Sequence, residues 1–349
     1  MRSILTTFAL TALATTPAFA AAGGDDWYAD FDEALAAAQE QDKDLLVDFT
    51  GSDWCGWCIK LDNEVFSHEE FMTGVADDYV LVKLDFPRGE EVKAKVPNPE
   101  RNAELSEQWG IRGFPTVMLV NDQGQPFAQT GYRPGGPVEY VAFLDKISAK
   151  GKAARAEFNR LQKTFEQAEG AERIAALESV LGMLEGQLAF QEELGTQSPL
   201  VTPILGMVRE SLPLEGEQHD ALELRALRAL LDAGAYDAEL GALIAEVDPK
   251  NEQGLLEKGL EAELTSMQSI DDVKAWVDRA VKLSSEISFV DENVQANVLF
   301  NIAYLSHRYL EQPEQAKKYA RKTLELGVIS NEQQISVLNE ILGVEEQSS

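Results

Sequence analysis

Cys55 and Cys58 are the only thiols among 349 residues, and they sit close together in Trp54-Cys55-Gly56-Trp57-Cys58. Three kinds of chemistry suit such a pair. One is a structural disulfide, but closing so short a loop is worth only about 2 kcal/mol, a weak staple for a chain of this size. The second is a metal site. Two thiolates need further ligands, and the three histidines, His68, His219 and His307, are scattered. A two-coordinate soft ion such as copper(I) would need only the pair. The third, best matched to the surroundings, is a redox dithiol. The apolar run 45–50 reads as a buried strand, so the motif after it opens a helix with Cys55 at its N-terminus. Free N–H groups and the positive end of the helix dipole favour a thiolate there. Cys58, one turn on, is placed to attack a mixed disulfide formed at Cys55.

The elements that must position this pair follow from patterning. Residues 29–41 are predicted helical, with Phe31, Leu35 and Ala38 on one face. Residues 55–63 start a helix, and Ser67 with Glu70 predicts a capping box for a second, short one. Tyr79–Asp85 alternates like a strand, residues 87–99 form a charged, Pro-punctuated loop, and 102–109 a short helix. Residues 117–121 and 127–130 read as strands joined at Asp122-Gln123-Gly124, and 138–149 as a closing amphipathic helix. Such an order predicts a mixed sheet covered by helices. Residues 151–349 hold no cysteine and show helical spacing almost throughout, with roughly nine helices. Val273, Trp276, Val277, Ala280 and Val281 follow a capping pair Ser269/Asp272, and Val298, Leu299, Ile302, Ala303 and Ser306 mark a later helix.

Composition bounds the partners. Sixty acidic against 30 basic side chains give a net charge of −30, which argues against nucleic acid and anionic membrane. Hydrophobic residues at 44% suffice for real cores and exclude a disordered acidic chain. Residues 1–20 read as a signal peptide: Arg2, an apolar stretch over 4–14, and the small-x-small site Ala18-Phe19-Ala20. No later stretch reaches the length of an apolar span. The expected organisation is a leader over 1–20, an α/β domain over 21–150 and an all-α domain over 151–349. The expected location is the periplasm, with secretion second and no membrane insertion once the leader is removed.

Residues from about Trp27 to Ile147 resemble the thioredoxin superfamily. Leu45-Leu46-Val47-Asp48-Phe49 followed by Trp54-Cys55-Gly56-Trp57-Cys58 is similar to its first core strand and active-site turn. Val82-Lys83-Leu84-Asp85 is similar to the next strand, and Gly110-Ile111-Arg112-Gly113-Phe114-Pro115-Thr116 to the segment carrying its cis-proline. Gly131-Tyr132 matches the glycine stretch after its last strand. Exported bacterial thioredoxin-like proteins are the nearest in texture. The resemblance implies a thioredoxin-like α/β domain, with Cys55 attacking, Cys58 resolving and Pro115 in cis beside them. It implies that Phe114-Pro115 presents backbone to an extended substrate, and that Asp48 is a buried acid exchanging a proton with Cys58. Lys83 matches the lysine near that acid. Gly56 and Trp57 form the dipeptide that tunes potential, and Trp54 and Trp57 are candidate substrate contacts, packing being the alternative for Trp54. One departure stands out: Asp48 precedes Cys55 by seven residues where six is common, so the loop 50–53 is one residue longer.

Within the helical half, residues 297–327 resemble one tetratricopeptide unit, with Ala303, Ala316, Tyr319 and Ala320 near its small and aromatic positions. A helical repeat and a plain bundle both remain open. The expected function is an exported thiol–disulfide oxidoreductase. It would act on protein or peptide disulfides with a membrane redox partner, without cofactor, resident metal or nucleic acid, and with a homodimer as an option. The alternatives are a binding or assembly protein that uses the helical half as a platform, and copper(I) delivery through the cysteine pair.

Overall fold

The computed structural model describes residues 27–216 and 219–344. The leader predicted over 1–20 lies outside them. The described residues begin with β1 (Trp27–Tyr28), α1 (Phe31–Gln41), β2 (Asp44–Thr50) and α2 (Gly56–Leu61). A π-helical turn, Asp62–Phe66, leads into α3 (Glu69–Val75) and β3 (Tyr79–Asp85). Then come α4 (Glu90–Lys93), α5 (Pro99–Gln108), β4 (Thr116–Val120), β5 (Pro126–Thr130) and α6 (Gly136–Gln167). The five strands form one sheet in the order β1-β3-β2-β4-β5, with β2 parallel to β3 and antiparallel to β4.

Strand alternation assigns the two faces. Leu45, Val47 and Phe49 of β2 join Met118 and Val120 of β4 in a core closed by Phe31, Ala34 and Ala38 of α1 and Leu105 of α5. Leu46 faces the other way, with Val117, Leu119, Leu61, Phe66, Phe71 and Tyr140. Asp48 shares the Leu46 face by the same alternation, so a carboxylate points into an apolar layer.

Two local expectations are corrected. The helix predicted over 138–149 runs on to Gln167. Within it, Gly151 marks a close approach: a Cβ there would collide with the Phe127 carbonyl, so glycine lets the helix pass the strand. The capping box at Ser67/Glu70 does not form. The π-helical turn draws the Ser67 hydroxyl back onto the Asn63 carbonyl at 3.3 Å, and His68 caps α3 without a side-chain bond. Two short elements went unanticipated: β1, too brief for periodicity, and α4 within the loop 87–99.

The chain divides into two compact units. The first runs through Asn159 and takes in Gln187–Leu200; the second comprises Arg160–Gly186 and the residues from Val201. In the first, Leu194 joins the core that holds Tyr140 and Phe127, and Glu193 pairs with Lys150 at 2.7 Å.

After α6 all described elements are helices: α7 (Gly170–Leu194), α8 (Val201–Glu210), α9 (Asp220–Asp232), α10 (Ala238–Val247) and α11 (Leu255–Leu264). They continue with α12 (Ile270–Glu286), α13 (Glu292–Arg308), α14 (Pro313–Leu326) and α15 (Glu332–Leu342). Ala303, Ala316, Tyr319 and Ala320 are buried together between α13 and α14, in a core shared with Trp276, whose indole N–H donates to the Leu260 carbonyl at 2.8 Å. No described helix is long and apolar enough to cross a membrane. At α12 the reciprocal capping box of Ser269 and Asp272 is complete. Ser269→Ala should therefore cost about 1 kcal/mol, whereas Ser67→Ala should cost about 0.5 kcal/mol or less. Urea unfolding followed by circular dichroism distinguishes them, and equal losses would contradict this assignment of caps.

Candidate active site

Strand β2 ends at Thr50, and the loop 51–54 delivers Cys55 to the N-cap of α2. Cys55 and Cys58 are joined by a disulfide, and the Cys58 backbone N–H donates to the Cys55 Sγ at 3.2 Å. Both residues are largely covered, at 6% and 5% exposure. Gly51 permits the turn: a Cβ there would lie 2.6 Å from the Trp54 indole, which folds back across the loop. At Gly56, by contrast, a Cβ would meet nothing within 4 Å.

Asp48 is 3% exposed, and its Oδ1 has no hydrogen-bond partner. Burial pushes its carboxyl up to about 7, opposed by Lys83 and reinforced by the charges of Asp62 and Asp85. Lys83 is its register neighbour on β3, yet the ammonium bonds elsewhere, to Asp62 Oδ1 at 2.7 Å, while lying 4.8 Å from the Trp27 ring centroid. The sequence reading missed Asp62. Its signal was its place four residues after Cys58, one helical turn along. On the same face, the Tyr140 hydroxyl donates to the Gly131 carbonyl at 3.1 Å, and burial raises its pKa.

The Phe114–Pro115 peptide is cis. The Thr116 hydroxyl closes the preceding turn on the Gly113 carbonyl at 2.8 Å. Gly131 is needed because a Cβ there would sit 2.9 Å from the Pro115 carbonyl oxygen. Two aromatic groups flank the dithiol along the chain. Before Cys55, the Trp54 ring meets Phe114 edge-on at 5.9 Å and donates its N–H to the Phe86 carbonyl at 2.8 Å, and Phe86 stacks on Phe114 at 5.1 Å. After it, Trp57 is 58% exposed and lies 5.2 Å from Tyr132, with the Lys60 ammonium over both rings. Trp54 is thus partly packed, and Trp57 is the open aromatic.

The extra residue in the loop 50–53 has a visible use. Ser52 bonds Asp85 through its N–H at 2.9 Å and its hydroxyl at 2.5 Å. The Asp53 carboxylate accepts the backbone N–H groups of Arg88 (3.0 Å) and Gly89 (2.7 Å), which hold it below the usual carboxylate range. The active-site loop is thereby tied to the start of the loop 87–99. No cluster of three or more potential metal ligands exists among the described residues.

The thioredoxin-like family matches residues 26–122. A thioredoxin of Alicyclobacillus acidocaldarius subsp. acidocaldarius is 32% identical over 112 residues, covering 32% of this chain and 86% of that protein. The chain belongs to the thioredoxin-like family. The disulfide bond reductase DsbH of Chlamydia pneumoniae is 35% identical over 112 residues, 32% of this chain and 65% of that protein. The thiol:disulfide interchange protein DsbD of Vibrio cholerae serotype O1 is 28% identical over 121 residues, 34% of this chain and 18% of that protein. A solved structure titled DsbH oxidoreductase shares 32% identity, covers 40% of this chain and 94% of its own, and has a TM-score of 0.31. The chain spans less than two thirds of the length of the DsbH and DsbD relatives.

The raised Asp48 carboxyl links stability to pH. An unfolded aspartate ionises near 3.8, the folded one near 7. Between those values the unfolded chain loses a proton that the folded protein keeps, so the stability this group contributes is full below about pH 4 and lost by about pH 7, on the order of 4 kcal/mol in all. Asp48→Asn removes this dependence. Its stability relative to wild type should rise between pH 4 and pH 8 in urea unfolding, and a difference independent of pH would refute the buried, protonated assignment.

Proposed function

We propose that the protein is an exported thiol–disulfide oxidoreductase acting on protein disulfides through Cys55 and Cys58. One observation carries the reading: the cysteine pair sits at the start of α2, in the same domain as a buried carboxyl titrating near neutrality and a cis-proline. The naming of one relative as a disulfide bond reductase supports the reductive direction. The leader pattern over 1–20 supports export, to the periplasm in a bacterium.

In that direction the Cys55 thiolate attacks one sulfur of a client disulfide and expels the other as a thiolate. The Cys58 N–H, which donates to Cys55 Sγ, stabilises the attacking anion. Asp48 accepts the proton of the Cys58 thiol, and Cys58 then attacks the Cys55 sulfur of the mixed disulfide. The Cys55–Cys58 disulfide forms, and the client leaves with both of its sulfurs reduced. Two electrons pass from the dithiol to the client, so a second dithiol, most simply on a membrane redox partner, must return them. Phe114 and Pro115 present backbone to the client, and the exposed Trp57 supplies apolar contact. The helical unit is the platform for partner choice.

Cys55→Ser should reduce turnover of a model protein disulfide to background, and Cys58→Ser should accumulate a covalent client adduct that dithiothreitol releases. Asp48→Asn should slow resolution roughly a hundredfold at pH 7, the scale of a lost general base. Quenched-flow alkylation and gel shift measure these steps, and undiminished turnover by Cys55→Ser would defeat the mechanism.

A further inference from the structure

Arg88 is unusual in an acidic chain. Its guanidinium carbon lies 3.9 Å from the Trp54 ring centroid, a stacking distance. Its backbone is fixed too, since the N–H groups of Arg88 and Gly89 both donate to the Asp53 carboxylate. Gly89 permits this grip, because a Cβ there would lie 3.0 Å from Asp53 Oδ2. Several other cations of the same unit are spent: Lys83 on Asp62, Arg101 on Asp32 and Glu104, Lys152 on Asp44. Among the described residues the Arg88 guanidinium makes no hydrogen bond or close ion pair, although acids outnumber bases two to one; its charge acts on the Asp53 carboxylate without direct contact. Arg112, two residues before Phe114, is likewise exposed and without an ion pair.

We propose that Arg88, stacked on Trp54, selects client segments carrying an aspartate or glutamate side chain beside the disulfide to be attacked. This rests on the oxidoreductase reading above and adds a specificity determinant to it. The guanidinium carbon lies over the indole, and an exposed guanidinium held there can still receive a carboxylate through two parallel N–H bonds. Stacking also restricts the side chain beforehand, so less freedom is lost on binding. The place fits: Trp54 adjoins Cys55 in sequence and its ring meets Phe114, next to Pro115. A client running along Phe114-Pro115 passes this wall. The net charge of −30 does not oppose a single acid there, because at physiological salt charges beyond about 8 Å are screened. It does disfavour a polyacidic client.

The test compares two disulfide-containing peptides, identical except for glutamate or glutamine on both sides of the attacked cysteine. The full-length protein should show a kcat/KM ratio of about five in favour of the glutamate peptide at physiological salt, the scale of one exposed ion pair, falling toward one at about 1 M salt. Arg88→Gln should bring the ratio to about one and Arg88→Glu below one. Arg88→Lys, which keeps the charge but not the fork, should restore part of it. A folding defect scales both rates and leaves the ratio intact. A wild-type ratio of one, or a preference that survives Arg88→Gln, overturns the proposal while leaving the oxidoreductase reading standing. No turnover of either peptide overturns that reading, and this one with it.

Discussion

Everything at the site hangs from the double burial of β2. The strand lies between β3 and β4, and both its faces are covered, one by α1 and α5, the other by residues of α2, α3 and α6. A slip of one residue would swap its two packed apolar rows and turn Asp48 into the layer under α1, so its C-terminal end is a fixed point. From that point the loop 51–54 launches α2 with Cys55 at its first cap. The same enclosure sets the chemistry, because it strips water from Asp48 and leaves one oxygen without a partner. Position and proton affinity therefore share one cause.

A second layer of constraint is built from glycines and carbonyls. Gly51 admits the Trp54 ring, and Gly131 admits the Pro115 carbonyl. Tyr140 bonds the Gly131 carbonyl in turn, so α6 reaches the cis-proline turn through one hydroxyl. On the opposite flank, Ser52 and Asp53 tie the active-site loop to Asp85, Arg88 and Gly89. The dithiol loop is thus held by polar anchors to the end of β3 as well as by its own strand.

The dithiol and four of the five strands were legible because each rests on local pattern. Cys55 and Cys58 declare themselves by spacing, the apolar run declares β2, and Tyr79–Asp85 declares β3 by alternation. Asp48 was legible as a residue, while its burial depends on α2, α3 and α6 closing over it. The Lys83–Asp62 pair was hidden because it joins residues 21 apart through a π-helical turn that no periodicity announces. Arg88 was hidden for a related reason: its stacking on Trp54 exists only once Asp53 has gripped the backbone. Ser67 shows the reverse failure, a sound local signal overridden when the preceding turn took its hydroxyl.

Gly56 has one further consequence. Between the two cysteines the chain presents a position with empty space where a side chain would begin, followed by an indole that stands mostly in solvent. Neither residue is part of the two apolar cores of the domain, and Trp57 touches it through Tyr132 and Lys60. On the proposed redox role, substitutions at these two positions would alter electron affinity while leaving both apolar cores of the domain in place. On that role, selection would have a route to a new donor or a new compartment through single steps taken outside those cores.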